Sequence, residues 1–199
     1  MQFLKILLRY VDHLICALVN CLVFRMKRVD CRTNLRNING IVSVMGNGRV
    51  IINTGVRINS GSRKNPIGGD ARLILVCHDG GEILIGKNAG LSNCTIVSRS
   101  RVLIEENVRI GGGVKIYDTD FHNIDPQLRL MEISGSCQGL TKSIQIGCNA
   151  FIGAHSIILK GVTIGANSVV GAGSVITKDI PESEIWAGNP AVFVRKLSS

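Results

Sequence analysis

The segment DTDFHNIDP, residues 118–126, sets a histidine between aspartates in a chain with only four histidines among 199 residues. Imidazole has an ordinary pKa of about 6.5, so it can take a proton from an attacking hydroxyl near neutral pH. His122 is therefore the foremost candidate for a general base. Asp118 and Asp120 could orient or polarise that ring, although solvated turn residues are the simpler reading of each. His13 and His78 have no motif around them, and seven cysteines form an odd set without a CxxC pair. That spacing speaks against both a zinc site and a disulfide framework, and for a reduced, cytoplasmic protein. Cys77, Cys94, Cys137 and Cys148 are scattered singly, as small hydrophobes.

The elements that position His122 are repeats. IGCNAF, IGAHSI, ILKGVT, IGANSV, VGAGSV and ITKDIP follow one another from Ile146, with Ile or Val at every sixth residue. The second position is glycine at Gly147, Gly153, Gly165 and Gly171. The fifth is small or β-branched throughout, at Ala150, Ser156, Val162, Ser168, Ser174 and Ile180. The frame also runs through Ile104, Ile110 and Ile116, with looser hexads from Ile52 and Ile85. It is lost from about His122 to Ser143 and resumes at Ile144. A period of six builds no helical stripe and no alternating strand, but it suits one side of a three-sided coil. Stacked coils would then pair as parallel strands around a continuous aliphatic core. The expected fold is all-β, a parallel β-helix over residues 29–186 with an extended loop at about 121–143. Long excursions from a regular solenoid usually serve function.

Composition agrees. Aliphatics must fill the core, because aromatics are 4% of the chain against 45% apolar residues, and 23 glycines without a collagen period imply many tight turns. Of the net charge of +9, residues 1–40 carry +5. This basic block has no interleaved aromatics for stacking bases, so nucleic acid is not the expected partner. It flanks FLKILLRYVDHLICALVNCLVF (residues 3–24), which reads as an amphipathic helix within a segment 1–28. Arg9 and Asp12 interrupt its apolar run, which argues against both a signal peptide and a transmembrane span. Gln2, Lys5, Arg9, Asp12, His13, Cys16 and Asn20 form a narrow polar stripe. Two readings stay open: packing on the protein or a symmetry mate, or lying in the plane of an anionic membrane surface at the inner face.

From about Ile83 to Leu197 the chain resembles the left-handed β-helix acyltransferases, which include galactoside, maltose, serine and polysaccharide O-acetyltransferases. The resemblance rests on DTDFHNIDPQLR, the hexads of 146–181 and the closing AGNPAVFVRKL (187–197). It implies a left-handed coil, a homotrimer, acetyl-CoA as co-substrate with no metal, and His122 as the base at the coil–loop junction. By the same resemblance the loop helps wall the active site of an adjacent subunit. Ala154 matches a position whose backbone amide meets the thioester region, and Ala172 one lining the pantetheine groove. Thr177 and Lys178 match positions near the adenosine phosphates, and Arg195 an arginine reaching the nucleotide. Asn93 and Asp120 fall on the acceptor side, and His155 at a corner that is often polar near CoA. Phe151 stands where a tryptophan is common, and Val192 where some members have another arginine. The gamma-class carbonic anhydrases bind zinc through histidines on a similar solenoid, two of them five residues apart. Here His78, His122 and His155 are 44 and 33 apart.

The expected function is transfer of an acetyl group to a sugar hydroxyl in surface polysaccharide assembly. N-acyl transfer to an amino sugar, or transfer to serine, would use the same base, and a non-catalytic scaffold is the reading from another class. Residues 187–199 are expected to form a short C-terminal tail.

Overall fold

The computed structural model describes residues 2–69, 71–132 and 139–197. Three parallel sheets wrap around one aliphatic core as a left-handed β-helix. Ile146 pairs with Ile164, Ile152 with Val170 and Ile158 with Ile176, each pair three hexads apart, so a coil is three hexads long. The first position of every hexad from Ile146 to Ile176 is at most 1% exposed, and the fifth position of every hexad at most 2%. Each such aliphatic side chain contributes roughly 1.5–3 kcal/mol by leaving water. The serines at the fifth position keep their hydroxyls satisfied inside the coil: Ser156 Oγ and Ser174 Oγ both donate to Gly171 C=O, and Ser168 Oγ to Pro181 C=O.

The other hexad positions have backbone reasons. The fourth turns the corner in the left-handed region, with φ near +60° at Asn149, His155 and Asn167 and glycine at Gly161 and Gly173. Asn and His tolerate that conformation better than most residues, and glycine best. The second position is where coils touch. A Cβ on Gly153 would lie 2.5 Å from the Ala172 nitrogen of the next coil.

The solenoid starts earlier than its clear repeats. Asp30–Cys31 already pairs with Ile51–Ile52, and Ser43–Met45 with Ile74–Val76, so much of 29–82 is ordinary coil. The C-terminus is a hairpin rather than a tail. Glu184–Gly188 runs antiparallel to Ala191–Lys196, with a cis Asn189–Pro190 peptide between them, and Ile185 and Trp186 extend the sheet beside Val169 and Val170.

At the other end, helix α1 (Gln2–Met26) packs on the first coil, with Phe24 joining the core. A first coil has no coil beneath it, so some of its backbone groups lack ladder partners. The fully buried Asn20 carboxamide meets two of them, donating to Gly40 C=O and accepting from Val42 N–H, both at 2.9 Å. The described part of the polar stripe thus turns inward at Cys16 and Asn20.

Candidate active site

Ile104 pairs with both Ile85 and Ile146, so everything between Asp118 and Ser143 is an excursion from a single coil. Its neck is pinned. Thr119 bridges Thr141, Asp120 N–H donates to Leu140 C=O, and Lys142 N–H donates to Asp118 C=O.

Asp118 is no solvated turn residue. It is fully buried, and its carboxylate accepts from Ser98 Oγ and from the backbone N–H groups of Arg99 and Ser100, each at 2.8 Å. Three donors balance the charge, and the carboxylate ties the neck to the coil beneath. Asp120 is half-buried and held by Lys160 Nζ at 2.6 Å, one coil on. Both acids fix the base of the loop, and the imidazole has a different partner.

That partner is Glu132, which was not singled out from the sequence. The Asp-Pro after His122 opens helix α2 (Pro126–Glu132), with Asp125 Oδ1 accepting from the N–H groups of Gln127 and Leu128 and proline at the first helical position. The helix carries Glu132 back to the histidine. Glu132 Oε2 lies 2.9 Å from His122 Nδ1, while Oε1 accepts from Asn123 N–H at 2.6 Å and Asn123 Nδ2 at 2.8 Å. An ionised carboxylate only accepts, so His122 Nδ1 carries a proton, and in the neutral imidazole Nε2 then keeps the lone pair. The hydrogen bond from His122, followed by those from Asn123, holds the Glu132 carboxyl below the usual glutamate range. The His122 side chain is 74% exposed, open to a substrate. Phe121, in the left-handed region, packs edge-on against Tyr117 and fixes the chain's exit from the coil. Beside the neck a cleft of about 350 Å³ is lined by His78, Asp79, Arg99 and Thr141.

Four of the five matched cofactor positions flank the sheet that contains Lys115–Tyr117, Ile157–Ile158 and Val175–Ile176. Gly111–Gly113, Gly153–His155 and Gly171–Gly173 stack at the corner where its strands begin, with Ala154 half-buried and Ala172 exposed. Thr177 and Lys178 are exposed just past Val175–Ile176, where the strands end, two coils on from the exit of the His122 loop. Arg195 is exposed on the C-terminal hairpin, its guanidinium donating to Lys196 C=O. Small, Cβ-poor corners at the start of these strands and a cation past the end of the last one suit a long chain with phosphates at one terminus. His155 is a corner residue in the left-handed conformation, stacked over Gly113. Asn93 is fully buried and engaged by its own fold: Oδ1 accepts from Gly61 N–H at 2.7 Å, and Nδ2 donates to Asn65 C=O at 2.6 Å. It tethers the excursion at residues 60–72 to the corner.

Cys77 and Cys94 are buried, and burial pushes their thiols up to about 11 and about 12. Neither can serve as a nucleophile near neutral pH. Cys148 departs from the hydrophobe pattern, its Sγ lying 3.0 Å from Glu105 Oε2, and Cys137 lies outside the described residues. No group of three or more potential metal ligands occurs among the described residues.

Residues 143–178 match the model of the bacterial transferase hexapeptide repeat, six repeats long. In these repeats the chain is similar to the hexapeptide-repeat acetyltransferases. A putative acetyltransferase of Saccharomyces cerevisiae is 42% identical over 125 residues, 61% of this chain. Nodulation protein L of Rhizobium meliloti is 40% identical over 116 residues, 58% of this chain. The chain spans 60% of the length of each of these relatives. Among solved structures, a galactoside acetyltransferase in complex with coenzyme A is 28% identical with a TM-score of 0.55, covering 84% of this chain and 64% of its own. A maltose O-acetyltransferase from Clostridium difficile 630 shares the fold at 24% identity, with a TM-score of 0.57 over 96% of this chain and 89% of its own.

Proposed function

We propose that this hexapeptide-repeat protein transfers the acetyl group of acetyl-CoA to a sugar hydroxyl, directly and with His122 as general base. The observation that carries the reading is the Glu132–His122 contact, which leaves an exposed Nε2 free to accept a proton. In this reading the hydroxyl oxygen attacks the thioester carbonyl as Nε2 takes its proton. The C–S bond then breaks, and the proton passes from the imidazolium to the departing thiolate. The Ala154 backbone amide serves the carbonyl oxygen as charge develops on it. Ala172 lines the path of the pantetheine arm, and Thr177, Lys178 and Arg195 meet the nucleotide end. The polar cleft at the neck offers the donors and acceptors that a sugar needs, and Asp120, held by Lys160, fixes the neck beside it. Asn93, engaged by the 60–72 excursion, shapes that side only through the backbone it holds. The galactoside and maltose enzymes among its structural neighbours support a sugar acceptor, and a homotrimer completes the proposal.

The test compares thermal stability with and without acetyl-CoA for the wild type and His122→Ala, then thioester consumption against neutral and amino sugars. Stabilisation of both forms with turnover by the wild type alone is the expected result. If CoA stabilises neither, the enzyme reading fails. Turnover confined to amino sugars would replace O-transfer with N-transfer.

A further inference from the structure

Helix α1 carries its amphipathicity inside out. From Asp12 onward its polar stripe meets the body, while Arg9 is exposed: besides the buried Asn20 and Cys16, Asp12 pairs with Lys64 at 2.5 Å. The opposite face is apolar and exposed along its length, at Leu7, Val11, Leu14, Ile15, Leu18 and Leu22, with Leu18 59% exposed near its centre. At 3.6 residues per turn these side chains span about 100° of the helix surface, a continuous strip rather than scattered contacts. A strip of this kind on a soluble surface marks an interaction site.

The charge around it selects the occupant. Arg25 lies on the same side of the helix as Leu18, and Arg28 and Arg36 are exposed just beyond its end. The acids of the first 40 residues are both engaged, Asp12 by Lys64 and Asp30 by Arg32. What faces outward is therefore an apolar strip closed by uncompensated cations. A second copy of the same surface would bring like charges together, whereas an anionic lipid surface accepts both features.

We propose that α1 docks in the plane of an anionic membrane, with its Leu18 face among the acyl chains and Arg25, Arg28 and Arg36 among the headgroups. The helix is long and apolar enough to span by composition, from Leu7 to Met26. Spanning would pull the Asn20 carboxamide away from Gly40 and Val42 and strand Asp12 in hydrocarbon, so the helix lies flat. Each cation near such a surface strengthens binding roughly fivefold, and the contribution fades with added salt.

The experiment is co-sedimentation of the full chain with phosphatidylcholine vesicles, with and without phosphatidylglycerol, alongside light scattering in solution. The variants are Leu14→Ser/Leu18→Ser and Arg25→Gln/Arg28→Gln. Wild type is expected to pellet with phosphatidylglycerol vesicles far more than with phosphatidylcholine alone. The arginine pair should weaken that binding by roughly 25-fold at low salt, and the leucine pair should abolish it. Stabilisation by CoA should be the same in all three proteins, which separates this surface from the acetyl-transfer reading. Absence of any preference for phosphatidylglycerol overturns the proposal. So does a leucine pair that still binds vesicles, or one that instead lowers the number of protomers, which would show that another copy covers the face.

Discussion

Glu132→Gln tests the site at its most specific point, because it changes hydrogen-bond polarity and little else. The wild-type carboxylate accepts at both oxygens: Oε2 from His122 Nδ1, and Oε1 from Asn123 N–H and Nδ2. A glutamine can keep Oε1 on Asn123, but it then presents an NH₂ to Nδ1. The favoured tautomer inverts, with the proton on Nε2, and an Nε2 that already holds a proton cannot act as base. Restoring the productive tautomer forfeits the amide's hydrogen bond to Nδ1 and leaves Nδ1–H facing another donor, a cost of about 1–3 kcal/mol, which corresponds to a fall in kcat of roughly 5- to 150-fold. The KM for acetyl-CoA should stay within a factor of two or so, because Glu132 acts through His122 rather than on the thioester. Steady-state loss of thioester absorbance across pH, with the best acceptor from the sugar panel, measures both quantities. His122→Ala provides the floor, at roughly 10²- to 10⁴-fold below wild type. If Glu132→Gln retains kcat within twofold while His122→Ala is inactive, the carboxylate does not set the tautomer and the reasoning fails.

Asn20→Ala should strand Gly40 C=O and Val42 N–H in a buried place, costing roughly 2–4 kcal/mol, or about 4–16 °C in melting temperature for a chain of this size. A melt unchanged within error would show that water serves those groups instead. Gly153→Val places side-chain carbon where the Ala172 backbone lies and should separate two coils, seen as a melting temperature lowered well beyond that of a surface substitution. Alkylation of native protein at neutral pH should label the exposed Cys21 and spare Cys77 and Cys94, with mass spectrometry as the readout. Because Glu132 titrates lower in the fold than in the unfolded chain, its hold on the loop is complete above the ordinary glutamate range. That hold should weaken as pH falls through the lowered value, exposing the chain near Arg129 to faster hydrogen exchange.

The hexad gave away the solenoid because burial and backbone geometry act at fixed positions of it. Aliphatics at the first position and small residues at the fifth point inward, so the core from Ile146 to Ile180 was legible residue by residue. The fourth position went unread in the sequence, because its meaning lies in backbone conformation. His155 and Asn167 occupy the same left-handed corner, and only the family resemblance set one of them apart as a site residue. Position within the repeat also explains why residues 29–82 were obscure: the excursion at 60–72 breaks the frame while the coils on either side continue.

The site was legible where a residue type names its chemistry, and opaque where partners meet across an excursion. His122 stood out, but nothing in the spacing of residues 122 and 132 predicts their contact, which depends on Asp125 and Pro126 starting a helix at the right place. Asp118 misled in the opposite sense. A buried carboxylate is stable only with its donors supplied, and those donors come from Ser98 to Ser100 in the coil beneath. Asn93 and Asn20 follow the same rule at two places where the coil's own ladder stops. Each carboxamide supplies one donor and one acceptor to backbone that has no neighbouring strand there. A polar side chain turned toward an unpaired backbone edge is as firm a packing rule in a solenoid as an aliphatic turned toward the core. For α1 the two rules combine: the edge takes the polar stripe inward, and the apolar face is left for whatever lies outside.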